Sequence, residues 1–166
     1  MSFNFRTRAT LATLSVFGLV AACGGPDLGT PPAVCSTHAV DEGESALMEP
    51  GGNCIQCHSD NDGPHFTFAG TVMAASKDDT NCAGIADALV RIKGADGKTL
   101  EMTTNGNGNF YSDVSIGSIS FPYTAEVTRG GKTVSMLTPR TQSETNCASC
   151  HTATGANGAP GRIVAP

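Results

Sequence analysis

The sequence predicts a mainly β protein, a small Greek-key-like β-sandwich flanked by loop-rich segments, and three observations carry that expectation. Glycine occurs 20 times and proline 9 times against only 15% charged residues, the balance of a turn-rich chain rather than a helical bundle. Between Phe66 and Leu137 apolar residues alternate over short runs, the period of a half-buried strand. Clusters of Gly, Asn and Asp separate those runs and supply the turns. With 166 residues, 39% of them hydrophobic and no Trp, the chain suffices for one domain with a modest core.

Taken in order, residues 1–22 read as a lipoprotein signal peptide. Arg6 and Arg8 form a positive n-region, and the apolar run from Ala9 to Val20 has the length of an h-region but is too short for a membrane span. Val20-Ala21-Ala22-Cys23 resembles the bacterial lipobox, which implies lipid attachment at Cys23 and a membrane-anchored chain. An ordinary secretory signal beside a free cysteine is the competing reading, and both export the protein. Loss of this segment leaves eight basic and fifteen acidic residues, a net charge of −7, which argues against nucleic acid or anionic lipid as an electrostatic partner. Residues 23–34 are a Gly/Pro-rich tether, and residues 35–65 form an N-terminal segment that carries Cys54, Cys57 and His58.

Residues 66–140 carry the strands. Phe68-Ala69-Gly70-Thr71-Val72-Met73 opens the set, followed by a run in which Ala88, Val90 and Ile92 share one face. A turn over Lys93 to Lys98 leads to Leu100 and Met102, and Asn105-Gly106-Asn107-Gly108 turns the chain into Asn109-Phe110-Tyr111. Tyr123, Ala125 and Val127 then face one way, and Gly130-Gly131 makes a two-residue hairpin into Val134 and Met136. Six or seven strands at this spacing make a sandwich. Residues 141–166 form a C-terminal segment that carries Cys147, Cys150 and His151, whose Gly/Ala/Asn-rich stretch 155–161 is expected to add no structure of its own and to wrap a bound group.

The order Gly70-Thr71-Val72, Ala86 to Ile92, and Thr104 to Tyr111 resembles the carboxypeptidase regulatory-like, transthyretin-related sandwich over about seventy residues. The resemblance implies that the Asn/Gly turn is structural and that the sandwich is a scaffold. No histidine lies inside it to activate a nucleophile.

The cysteines carry the chemistry. Cys54-Ile55-Gln56-Cys57-His58 and Cys147-Ala148-Ser149-Cys150-His151 both spell Cys-x-x-Cys-His and resemble the attachment motif of c-type cytochromes. Two thiols one turn apart can each form a thioether with a haem vinyl group, and the adjacent histidine then lies under the iron as proximal ligand. A structural zinc or iron–sulfur site, or disulfides within the pairs, would leave the repeated histidine unexplained. A thioredoxin-like pair would need a βαβ context that the sequence lacks. With Cys23 lipidated, Cys35 and Cys82 remain and are paired by elimination as a disulfide.

Two histidines are left for two putative haems, His38 and His65, and both are distal-ligand candidates. Solvent-exposed loop histidine is the bland alternative for each. Met48 is a weaker distal candidate, and Met73, Met102 and Met136 are thioether alternatives better read as core.

The whole reads as an exported, lipid-anchored dihaem c-type cytochrome of the bacterial envelope, an electron carrier rather than an enzyme. Its expected partner is a basic redox protein. The rivals are a dihaem peroxidase or reductase, which would need an open distal site, and a non-haem surface lipoprotein that uses the sandwich as a binding module. A sandwich inserted between the motifs is expected to bring both haems to one end.

Overall fold

The structure is a computed structural model in which residues 47–77, 82–113 and 119–166 are described. The expected signal peptide, the tether, Cys23, Cys35 and His38 lie outside these residues. Among these residues one short α-helix, α1 (Cys54–Asp60), precedes seven strands: β1 (Phe66–Met73), β2 (Leu89–Gly94), β3 (Thr99–Thr103), β4 (Asn109–Asp113), β5 (Tyr123–Arg129), β6 (Lys132–Ser135) and β7 (Ile163–Val164). They form two sheets, one in the order β4-β1-β7 and one in the order β3-β2-β5-β6. Among the described residues no helix is long and apolar enough to cross a membrane.

The four-stranded sheet follows the period-2 pattern closely. On its inner face Val90 stands between Met102 and Val127, and Ile92 between Leu100 and Ala125. On its outer face Arg91 pairs with Glu101 on one neighbouring strand and Glu126 on the other. One face thus buries apolar area, while the other keeps charge in water. Gly130 and Gly131, at φ 56° and 78°, close the β5–β6 hairpin as a two-residue loop, because its right-handed twist demands positive φ at both central positions.

The core lies between the sheets, with Phe68, Val72, Val90, Ile92 and Phe110 almost wholly excluded from solvent. Phe68 meets the Tyr123 ring edge-on, with centroids 5.0 Å apart. Burial of each such side chain contributes roughly 1.5–3 kcal/mol, the main source of stability in so small a core.

Two features lie beyond the sequence reading. Val134 is half exposed although it pairs with the buried Val127. The reason is the unequal sheets: β6 is an edge strand, and β7, the edge of the opposing sheet, is only two residues long. Beyond the 155–161 stretch, which forms neither helix nor strand, Ile163 and Val164 pair in parallel with Val72 and Met73. The Arg162 amide also donates to the Ser76 carbonyl at 2.9 Å.

Candidate cofactor-binding site

β1 is buried along its length from Phe68 to Met73, and the segments carrying the two motifs supply part of that cover. The first segment rests on the outward-facing pair Thr71 and Asn109. Gly51 N–H donates to Thr71 Oγ1 at 2.8 Å, Thr71 donates to Asn109 Oδ1 at 2.7 Å, and the Asn109 amide donates to the Met48 carbonyl. The second segment runs along the free edge of β1, where Asn146 bridges Ala69. Gly70 makes that approach possible: a Cβ there would come within 2.7 Å of the Phe110 ring and 2.8 Å of Cys147 Cβ.

In the first motif, Asn53 caps α1 by accepting from Gln56 N–H at 3.1 Å. Positions i, i+3 and i+4 of a helix share a face, so Cys54, Cys57 and His58 project together. His58 packs against Phe66, ring centroids 4.6 Å apart, and Phe66 in turn against Tyr111. Burial lowers the pKa of His58, partly opposed by the Pro64 carbonyl, which favours the protonated ring. His58 Nδ1 is buried without a hydrogen-bond partner.

The second motif forms a tighter turn, the 3-10 helix Cys147–Ser149. Cys150 and His151 both donate their amides to the Cys147 carbonyl, at 3.2 and 2.9 Å, so His151 follows its first cysteine by four residues as His58 does. The chain leading into it is fixed by Tyr123, which exchanges backbone hydrogen bonds of 2.8 Å with Arg140 and donates its hydroxyl to the Glu144 carbonyl at 2.6 Å. Downstream, Ala156 N–H donates to the Cys150 carbonyl at 2.8 Å, and His151 Nδ1 lies 2.9 Å from the Gly161 carbonyl. A carbonyl can only accept, so Nδ1 carries the proton and Nε2 is the ring nitrogen free to bind a metal. Burial is the main cause that lowers the His151 pKa, which keeps the ring in the neutral, ligating form.

The two motifs meet. The Asn146 side-chain amide donates to Asn53 Oδ1, so the residues immediately before Cys147 and Cys54 are hydrogen-bonded across 93 positions of sequence. Sequence reasoning passed over these asparagines. The signal was present, since both motifs read Asn-Cys-x-x-Cys-His.

Cys54, Cys147 and Cys150 are free thiols. Burial raises the Cys54 thiol to about 11 and the Cys147 thiol to about 12, with the neighbouring Cys54 and Cys150 adding to the effect at Cys147. Cys57 and Cys82 are disulfide-bonded. Cys35, the expected partner of Cys82, lies outside the described residues.

A cavity of about 370 Å³ opens beside the second motif, within the range of small-ligand sites. Cys147, Cys150 and His151 line it together with inner-face residues Val90, Ile92 and Tyr123. Of the distal candidates, His65 is exposed next to Phe66 and is not in this wall, while Met48 is half-buried beside the first motif. Met73 and Met102 are buried, as core packing requires, and Met136 lines the cavity.

Whether these residues fit a covalently held haem can be asked at each motif. At the second they fit: two free thiols, a neutral imidazole with Nδ1 anchored, and an apolar cavity. At the first the helical face fits and His58 is neutral, but the Cys57 sulfur cannot be in a thioether and a disulfide at once. Among the described residues three buried side-chain polar atoms have no partner, Glu49 Oε1, His58 Nδ1 and Asn146 Oδ1, and all three belong to the motif segments. Buried polar groups are rarely left so unless a site is built there. Among the described residues no three of His, Cys, Asp or Glu gather as ligands for a bare metal ion. Comparison with protein-family models, with curated proteins and with solved structures returns no match.

Proposed function

We propose that this protein is an envelope electron carrier, a lipid-anchored c-type cytochrome with haem attached at both motifs. The observation that carries the reading is the meeting of two Asn-Cys-x-x-Cys-His segments on one strand, joined through Asn53 and Asn146. Haem supplies the one-electron chemistry, and the chain supplies attachment, ligation and burial. Cys54 and Cys57, and Cys147 and Cys150, would hold the two groups, with His58 and His151 as proximal ligands. The Gly161 carbonyl fixes the tautomer of His151, and the sandwich interior lines its cavity side with apolar side chains. At the first motif, attachment requires that the Cys57 disulfide be reduced beforehand. The excess of acidic residues suits a basic redox partner met in a small, transient contact.

Paired substitutions test this. After expression with a cytochrome maturation system, wild type should carry two haems per chain. Cys54→Ser with Cys57→Ser should carry one, as should Cys147→Ser with Cys150→Ser. A five-coordinate, high-spin haem in the wild type would favour a peroxidase or reductase instead.

One observation favours a second reading, an exported non-haem binding module. Cys57 is disulfide-bonded, and the cavity suits an apolar ligand without any cofactor. Colourless protein from the same maturation system, with a stable Cys57 disulfide, would decide for that module.

A further inference from the structure

The two motifs have unequal surroundings. Cys147, Cys150 and His151 border the cavity of about 370 Å³, while Cys54, Cys57 and His58 do not. An iron held by His151 requires a second strong-field neutral ligand if it is to be low-spin and closed to oxygen. Among the described residues the cavity wall holds no second histidine, and its one methionine is Met136.

Met136 follows the edge strand β6, and its backbone N–H donates to the Ala125 carbonyl at 2.7 Å. That bond pins the residue at the rim of the core, against which its side chain is partly buried. The side chain is unbranched with three rotatable bonds, so the thioether can swing toward a group in the cavity without moving the sheet. The histidine candidate in the described chain is placed otherwise: His65 is exposed, one residue before the Phe66 that stacks on His58. It belongs to the neighbourhood of the first motif.

We infer that Met136 is the sixth ligand, opposite His151, of the haem held by Cys147 and Cys150. The inference rests on the haem reading above. Its consequence is an unequal pair, because thioether ligation raises the potential relative to two imidazoles. The second site is then the higher-potential member, and an electron entering the pair settles there.

The test compares matured holoprotein of wild type, Met136→Leu and Met136→His. Met136→Leu nearly conserves volume and keeps the contact with the core. The ferric wild type should show the near-infrared charge-transfer band of thioether-ligated haem. In Met136→Leu that band should vanish, with one of the two haems turning high-spin and the other unchanged. Met136→His should restore two low-spin haems, with the higher of the two potentials lowered. Two haems without that band in the wild type would overturn the inference. So would Met136→Leu protein with unchanged far-ultraviolet circular dichroism, two low-spin haems and unaltered potentials. If Met136→Leu does not fold, Met136→His decides: loss of the band with a lowered higher potential supports the inference, and a band that persists overturns it. Wild-type chain without covalent haem would defeat the reading on which the inference rests, a result distinguishable from either.

Discussion

Gly70 and Asn146 hold the second motif against β1, and each makes a prediction at the scale of a single side chain. Gly70→Ala places a methyl group within 2.8 Å of Cys147 Cβ and closer still to the Phe110 ring. The overpacking should cost about 1–3 kcal/mol in chemical denaturation, and an unchanged midpoint would show that the motif is not seated there. Asn146→Ala removes the donor that reaches Asn53 Oδ1, while Gln56 N–H still satisfies that oxygen. The expected loss is therefore modest, about 1 kcal/mol. The thiols add a pH dependence. Burial lifts Cys54 to about 11 and Cys147 to about 12, above the ordinary thiol value of about 8.5. Between these limits the unfolded chain releases protons that the folded chain keeps, so folding weakens as pH rises. The haem-free chain should hold its full thiol-linked stability below about pH 8.5 and lose it progressively toward pH 11. Urea midpoints across that range should fall for the wild type and fall less for Cys147→Ala.

At the scale of the element, the four-stranded sheet was legible in both its strands and its burial, whereas β1 was legible as a strand but not in its burial on both faces. Val90, Ile92, Leu100 and Met102 alternate with Arg91, Lys93, Glu101 and Thr103 because one face of their sheet meets water, and the pattern therefore gives the burial directly. In β1 the small residues Ala69, Gly70 and Thr71 are as buried as Phe68 and Val72. The first-motif segment covers its outer face and Asn146 its edge, so no alternation remains to be read. β7 escaped for another reason. Two residues carry no period, and Ile163 and Val164 become a strand only because β1 offers a free edge. Tyr123 connects sheet to motif through its hydroxyl on the Glu144 carbonyl. Tyr123→Phe keeps the ring against Phe68 and loses that bond, at a cost of about 1 kcal/mol. The local effect is the sharper check: Cys147 and Cys150 should become more reactive toward a thiol reagent, while Cys54 should not.

Across the whole molecule, the separation of the motifs in sequence hides their contact in space. The repeated pentapeptide was visible because the spacing of its thiols and histidine has a chemical reason. Their contact depends on β1, whose outer face holds one motif segment and whose edge holds the other, and neither attachment leaves a periodic trace in the sequence. The asparagine before each first cysteine was the one clue to it. The proposal stands or falls on covalent haem in these adjoining segments. The decisive experiment is a reduced-minus-oxidised absorbance spectrum of the matured protein, with haem counted against protein. Two low-spin haems per chain that resist extraction by acidified solvent are expected; protein with no Soret band would overturn the proposal.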